Sequence, residues 1–177
     1  PAKTSSYKEM ALALQAYAAT HEGELDFWRT LAAAPAALPC TNPAGSLLAA
    51  DMSSVELRLD RGRTQALLKD APAAYRTQIN DLLLTALGRA LCAWSGHSSI
   101  LIDLEGHGRE DLFEHIDLSR TVGWFTSLFP VVIDPLGEPA DAIRRVKESL
   151  RQIPNKGLGF GIFNHIGTEA QQEAMRA

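Results

Sequence analysis

The chain has 177 residues, the length of one ordinary domain. Hydrophobic residues make up 46% and charged residues 21%, which excludes wholesale disorder. A net charge of −4 argues against a nucleic-acid binder, and no apolar run approaches the ~20 residues of a membrane span. Two cysteines, Cys40 and Cys92, stand far apart with no metal-ligand spacing, the usage of a reducing, cytoplasmic setting. Pro1-Ala2-Lys3 has neither an initiator Met nor the apolar stretch of a signal peptide, so the expectation is a chain that begins inside something larger or has been cut.

Ser5 or Ser6 can cap a helix that begins near Tyr7, with Glu9 placed for a capping box. Tyr7, Met10, Ala11, Leu14 and Ala18 recur at helical spacing as far as Thr20. A second helix is expected over 24–34, with Leu25, Trp28 and Leu31 on one face. Residues 35–50, rich in Pro, Gly, Ala and Asn, read as a surface loop or linker. Val55 to Leu59 alternates apolar and polar and predicts a half-buried strand. Thr64 to Lys69 predicts one or two helical turns, and 78–94 the strongest helix, stopped by Gly96.

Ser99 to Leu104 is a short apolar run read as a buried strand, followed by a polar loop over 106–120. Leu128 to Ile133 predicts another strand and 140–152 a helix. A Gly-rich loop over 154–161 and a short strand over 162–166 complete the reading. The order is α, α, β, α, α, β, β, α, β, an α/β chain with a mixed sheet flanked by helices.

Four stretches can carry chemistry. In Glu105-Gly106-His107-Gly108-Arg109-Glu110 a carboxylate ends a strand beside two glycines, where a ligand can approach the backbone. Partial desolvation there would raise the Glu105 pKa and fit it for general acid–base work, with Arg109 four residues on to orient it. The alternative is a solvated surface turn. In the stretch from Arg120 to Val131, Gly123 stands beside Trp124 and Phe125. That is either a packed strand entrance or a wall in which Thr126 or Ser127 offers a hydroxyl to a developing oxyanion. Residues 154–161 carry Gly157, Gly159 and Gly161, but no GK[ST] ends them, so a tight turn or a tunnel wall fits better than a phosphate loop. In Phe163-Asn164-His165, Asn164 can donate to a carbonyl and His165 can shuttle a proton, unless the histidine is simply buried and satisfied. A strand there would point the two to opposite faces. The five histidines show no zinc spacing, and no G-x-S-x-G elbow is present.

Taken in order, Tyr75 to Asp81 (YRTQIND), Glu105 to Glu110 (EGHGRE), Arg120 to Thr126 (RTVGWFT), Pro154 to Gly161 and Phe163-Asn164 make a series. It resembles the epimerization domain of nonribosomal peptide synthetases across essentially the whole chain. EGHGRE and RTVGWFT are the specific parts, and they separate this family from its sister condensation domains. The resemblance implies a fold like chloramphenicol acetyltransferase, in which two lobes meet in a V around an active-site tunnel. It implies inversion of the α-carbon of an aminoacyl or peptidyl thioester. No cofactor would be bound directly; the substrate would ride on the 4'-phosphopantetheine arm of a peptidyl carrier protein domain. The other expected partner is the remaining lobe of the same synthetase, with no nucleic acid and no membrane.

The resemblance also implies a division of roles. Glu105 would exchange the α-proton, Arg109 would fix Glu105, and Asn164 would hydrogen-bond the substrate carbonyl. His165 stands where family members usually have Tyr, near the catalytic carboxylate, and Phe160 likewise replaces a Tyr. Substrate contacts are expected from His107, Gly123, Trp124, Thr126, Gly157, Gly159 and Phe160, with no metal. The family's His-His-x-x-x-Asp-Gly motif is absent from this sequence, so residues 1–177 are expected to be a partial domain, inactive alone, truncated at both ends and exposing apolar surface that favours self-association. The rival expectations are a condensation domain forming amide bonds and a non-catalytic module that docks carrier proteins.

Overall fold

Ser6 starts the first helix, α1 (Tyr7–Thr20), as its spacing from Glu9 requires. Its hydroxyl accepts from the Glu9 N–H while the Glu9 carboxylate accepts from the Ser6 N–H, and this pairing holds the exposed Glu9 carboxyl below its usual range. The computed structural model describes residues 3–32, 38–40, 42–46 and 48–176, which divide into two units. The first contains 1–35, 101–132 and 149–177; the second contains 36–100 and 133–148.

In the first unit α1 is followed by a single 3-10 turn (Glu22–Glu24) and α2 (Leu25–Ala32), the later start of the expected second helix. Residues 33–34 of that expectation, and Pro35 to Ala37, Thr41 and Leu47 of the expected loop, lie outside the described residues. Trp28 on α2 is wholly buried. Strands β1 (Ile100–Gly106) and β2 (Ser127–Ile133) form a two-stranded sheet that, but for Ile100 and Ile133, belongs to this unit. Gly106 lies against Ser127 and Gly108 against Phe125, so one strand advances as the other retreats and the pair is antiparallel. The chain then runs through a turn (Pro154–Gly157) into α7 (Leu158–His165) and α8 (Glu169–Arg176).

The second unit carries one continuous helical stretch from α3 (Arg61–Gln65) through a π-helical turn (Ala66–Asp70) to α4 (Ala71–Tyr75), longer than the expected one or two turns. Then comes α5 (Ile79–Ser95), ended by Gly96 in the left-handed region at φ 76°. Within α5, Gly88 is demanded by packing, since a Cβ there would stand 2.5 Å from the Ile133 side chain. Helix α6 (Pro139–Arg151), which belongs to this unit as far as Glu148, buries Ala142 and Val146 completely. Arg89 donates to the carbonyls of Pro135 and Gly137, and Arg145 to Asp134 and the Leu136 carbonyl, closing the turn after β2.

The α/β class stands, but the expected mixed sheet is, among the described residues, a single antiparallel pair, and three local expectations do not hold. Val55 to Leu59 forms no strand: Val55 is 100% exposed and Leu57 89%. Its alternation is real, yet a strand is completed by backbone partners, and none runs beside it among the described residues. The expected Gly-rich loop over 154–161 is a short turn followed by the first half of α7, and the expected strand over 162–166 is the rest of that helix. Short apolar runs satisfy both periods, and here Leu158, Ile162 and Phe163 are buried at helical spacing. Helix α8, entered through a capping box between Thr168 and Gln171, had no counterpart among the expected elements.

Candidate functional site

Everything in this site belongs to the first unit. Glu105 is the last side chain of β1 and shares its exposed face with Leu101 and Asp103. Gly106 points its hydrogen at the Ser127 hydroxyl, so Glu105 and Leu128, one residue away on each strand, share the opposite face. The expected desolvation of Glu105 is not seen; its side chain is exposed. Gly108 turns the chain at φ 64°, and a Cβ there would overlap the Phe125 carbonyl oxygen. Only glycine fits so close an approach.

The turn after Glu105 is held by its own side chains. The Arg109 N–H donates to His107 Nδ1 at 3.0 Å, which makes Nδ1 the unprotonated nitrogen of the neutral ring. Nε2 then carries the proton toward Glu110 Oε1, 3.3 Å away. His107 thus orders the turn.

Arg109 does not fix Glu105, contrary to expectation. Its guanidinium donates to the carbonyls of Leu118 at 2.6 Å, Thr121 at 3.0 Å and Gly123 at 3.3 Å. It also lies over the Phe125 ring, 4.3 Å from the centroid. A planar fork with five donors can serve several carbonyls at once, and those carbonyls lie 9, 12 and 14 residues away, out of reach of local spacing rules. The EGHGRE and RTVGWFT stretches are therefore parts of one clamp.

The start of α1 locks the same loop from the other side. The Tyr7 hydroxyl donates to the Trp124 carbonyl at 3.4 Å, and the Tyr7 ring stands 5.1 Å from Phe125. Thr121 donates to the Ser5 carbonyl, and Ser5 and Asp117 exchange two further bonds. Gly123 lets the Tyr7 ring close over the loop, since a Cβ there would come within 2.7 Å of it. Tyr7 was legible only as a core-stripe residue of α1.

Between α1, this loop and α7 lies a cavity of about 480 Å³. Trp124, Thr126, Phe160 and His165 line it, four of the residues singled out by sequence. Glu105, Arg109 and Asn164 do not line it. Trp124 is 81% exposed at its edge, and Thr126 and His165 are exposed as well.

The turn into α7 places three consecutive residues in the left-handed region: Asn155 (φ 43°), Lys156 (φ 56°) and Gly157 (φ 82°). Gly157 abuts the Phe129 ring and Gly159 abuts Glu24 and Trp28, so both are packing requirements before they are ligand contacts. Phe160 meets Trp28 edge-on, with centroids 5.5 Å apart. Asn164 and His165, expected on a strand, close the helix instead; the Asn164 amide donates back to the Phe160 carbonyl at 3.0 Å. That bond uses one of the two amide N–H donors of Asn164.

One polar network went unforeseen. The Tyr17 hydroxyl donates to Glu24, the Asn155 amide donates to both, and the Trp28 indole N–H reaches the other Glu24 oxygen at 3.4 Å. Burial, with the Glu24 bond and charge, pushes the Tyr17 phenol well above its ordinary range. Among the described residues no group of three His, Cys, Asp or Glu is placed to hold a metal ion, and no helix is long and apolar enough to cross a membrane.

The condensation domain family model matches residues 1–176. A linear gramicidin synthase from Brevibacillus parabrevis is 45% identical over 183 residues, covering all of this chain and 4% of its own length. Chondramide synthase cmdD from Chondromyces crocatus is 45% identical over 177 residues, covering 96% of this chain and 4% of its own. The crystal structure of the epimerization domain from the third module of tyrocidine synthetase B superposes with a TM-score of 0.82 at 39% identity. That match takes in 97% of this chain and 41% of the solved one. The chain thus spans a small part of the relatives it matches.

Proposed function

The chain belongs to the condensation-domain family, and from that premise we propose that it is part of a nonribosomal peptide synthetase epimerization domain. Its reaction is inversion of the α-carbon, L to D, in an aminoacyl or peptidyl thioester held on a carrier protein. The observation that carries this reading is the likeness to a solved epimerization domain at 39% identity over nearly the whole chain. The integrated EGHGRE and RTVGWFT clamp supports it.

A thioester acidifies the α-hydrogen, but its removal still needs a placed base and a stabilised enolate. Glu105 ends β1 on an open face with its carboxylate unburied, ready to take or return a proton on one side of the α-carbon. The opposite side is served by a group outside these 177 residues, which makes the segment alone inactive. Arg109 acts through the loop, holding the wall that carries Trp124 and Thr126. The substrate arrives on the phosphopantetheine arm of a peptidyl carrier domain, and the rest of the synthetase completes the tunnel.

The test uses the intact synthetase with its carrier loaded. Solvent deuterium entering the substrate α-carbon, read by mass spectrometry, supports the epimerase. A new amide bond without α-exchange would identify the sister condensation activity. No reaction of either kind on a correctly loaded carrier would identify a docking module.

A further inference from the structure

The three alternate glycines near α7 are not equivalent. Gly157 is required by its left-handed φ of 82° and by the Phe129 ring, which a Cβ would overlap. Gly159 is required by Glu24 Oε2, which a Cβ would also overlap, and by the Trp28 indole at 3.2 Å. Gly161 is required by neither: it lies inside α7, and a Cβ there would meet nothing within 4 Å. A glycine inside a helix carries a backbone-entropy cost that alanine does not. Packing and backbone conformation leave that cost unexplained at Gly161.

What Gly161 does border is the cavity of about 480 Å³. Its floor is aliphatic and buried, with Met10 3%, Ile162 2% and Leu158 8% exposed. Leu14 and Phe125 also line it, and the exposed Trp124 stands at its edge. Among the described residues no carboxylate, ammonium or guanidinium lines it; its titratable rings are the Tyr7 phenol and the His165 imidazole at its exposed rim. An ionised group entering the apolar floor would therefore leave water without a fixed counter-charge there. A volume of this size, mostly apolar with a few hydroxyl and amide groups, is the form of a small-molecule site.

Resting on the epimerase reading above, we propose that this cavity receives the uncharged, apolar side chain of the aminoacyl unit, and that Gly161 sets the size it accepts. The bare edge of α7 at Gly161 keeps the space open, and a larger residue there fills it without disturbing the fold.

The experiment loads the carrier of the intact synthetase with leucyl, alanyl or aspartyl units and follows α-deuterium exchange. The wild type exchanges leucyl faster than aspartyl by at least about tenfold, the discrimination an apolar pocket supplies. Gly161→Leu slows leucyl exchange by at least about tenfold and leaves alanyl within about twofold. Equal losses on leucyl and alanyl, or no loss on either, overturn the pocket while the epimerase stands. If no substrate exchanges, the pocket is read by binding of stable amide-linked leucyl and alanyl pantetheine analogues to the intact protein. Selective weakening of the leucyl analogue by Gly161→Leu upholds the pocket without the epimerase; equal affinities for the two analogues overturn it. Gly161→Ala, which must melt at or above the wild-type temperature, verifies that the position tolerates a side chain.

Discussion

The guanidinium of Arg109 lies 4.3 Å from the centroid of the Phe125 ring while its nitrogens hold three carbonyls between Leu118 and Gly123. One side chain therefore ties the end of β1 to the loop that walls the cavity. Hydrogen bonds from a charged donor contribute about 1.5–3 kcal/mol each when the alternative is an unpaired carbonyl.

Arg109→Lys keeps the charge but loses the fork, so at least one carbonyl goes unpaired. The expected result is a destabilisation of about 2 kcal/mol in urea unfolding, with faster amide hydrogen exchange over residues 118–125. Unchanged stability and protection would show that the clamp is idle.

Glu105→Gln removes the proton acceptor without changing shape at an exposed position. In the intact synthetase α-deuterium exchange falls on the order of 10²–10⁴-fold, with circular dichroism and melting temperature unchanged. Retained exchange removes Glu105 from the proton path.

The glycines predict stability changes of opposite sign. Gly108→Ala places a methyl group on the Phe125 carbonyl at positive φ and costs at least about 3 kcal/mol. Gly157→Ala and Gly159→Ala also lower the melting temperature, through Phe129 and Glu24. Gly161→Ala raises stability by about 0.5–1 kcal/mol. A destabilised Gly161→Ala in calorimetry would contradict the open space beside it.

Tyr17 carries a pH dependence whose sign follows from its buried hydrogen bond. Its folded pKa is raised from 10.0, first by burial and then by Glu24. The folded state thus binds the phenolic proton more tightly than the unfolded chain. That stability is fully present below about pH 10 and is lost as pH rises through the folded value. Tyr17→Phe lowers stability at neutral pH by removing the bond to Glu24, yet flattens the fall above about pH 10. Parallel alkaline unfolding curves for the two proteins would refute the linkage.

Much of this protein is written locally. Ser6 with Glu9, Gly96 after Ser95, and the apolar runs of β1 and β2 announce their elements, because caps and periodicity act over a few residues. The position of Glu105 at a strand end beside glycines was legible for the same reason.

Only the tertiary structure decided the rest. Val55 to Leu59 has a strand's alternation, but a strand exists only when another backbone accepts its hydrogen bonds. Arg109 is spaced as a partner for Glu105, yet carbonyls up to 14 residues on offer its fork better geometry. Gly157, Gly159 and Gly161 look alike in sequence and differ because one meets Phe129, one meets Glu24 and one faces open space. Composition and period specify which elements a chain can form; contacts between residues distant in sequence select which of them form and what each side chain there can touch.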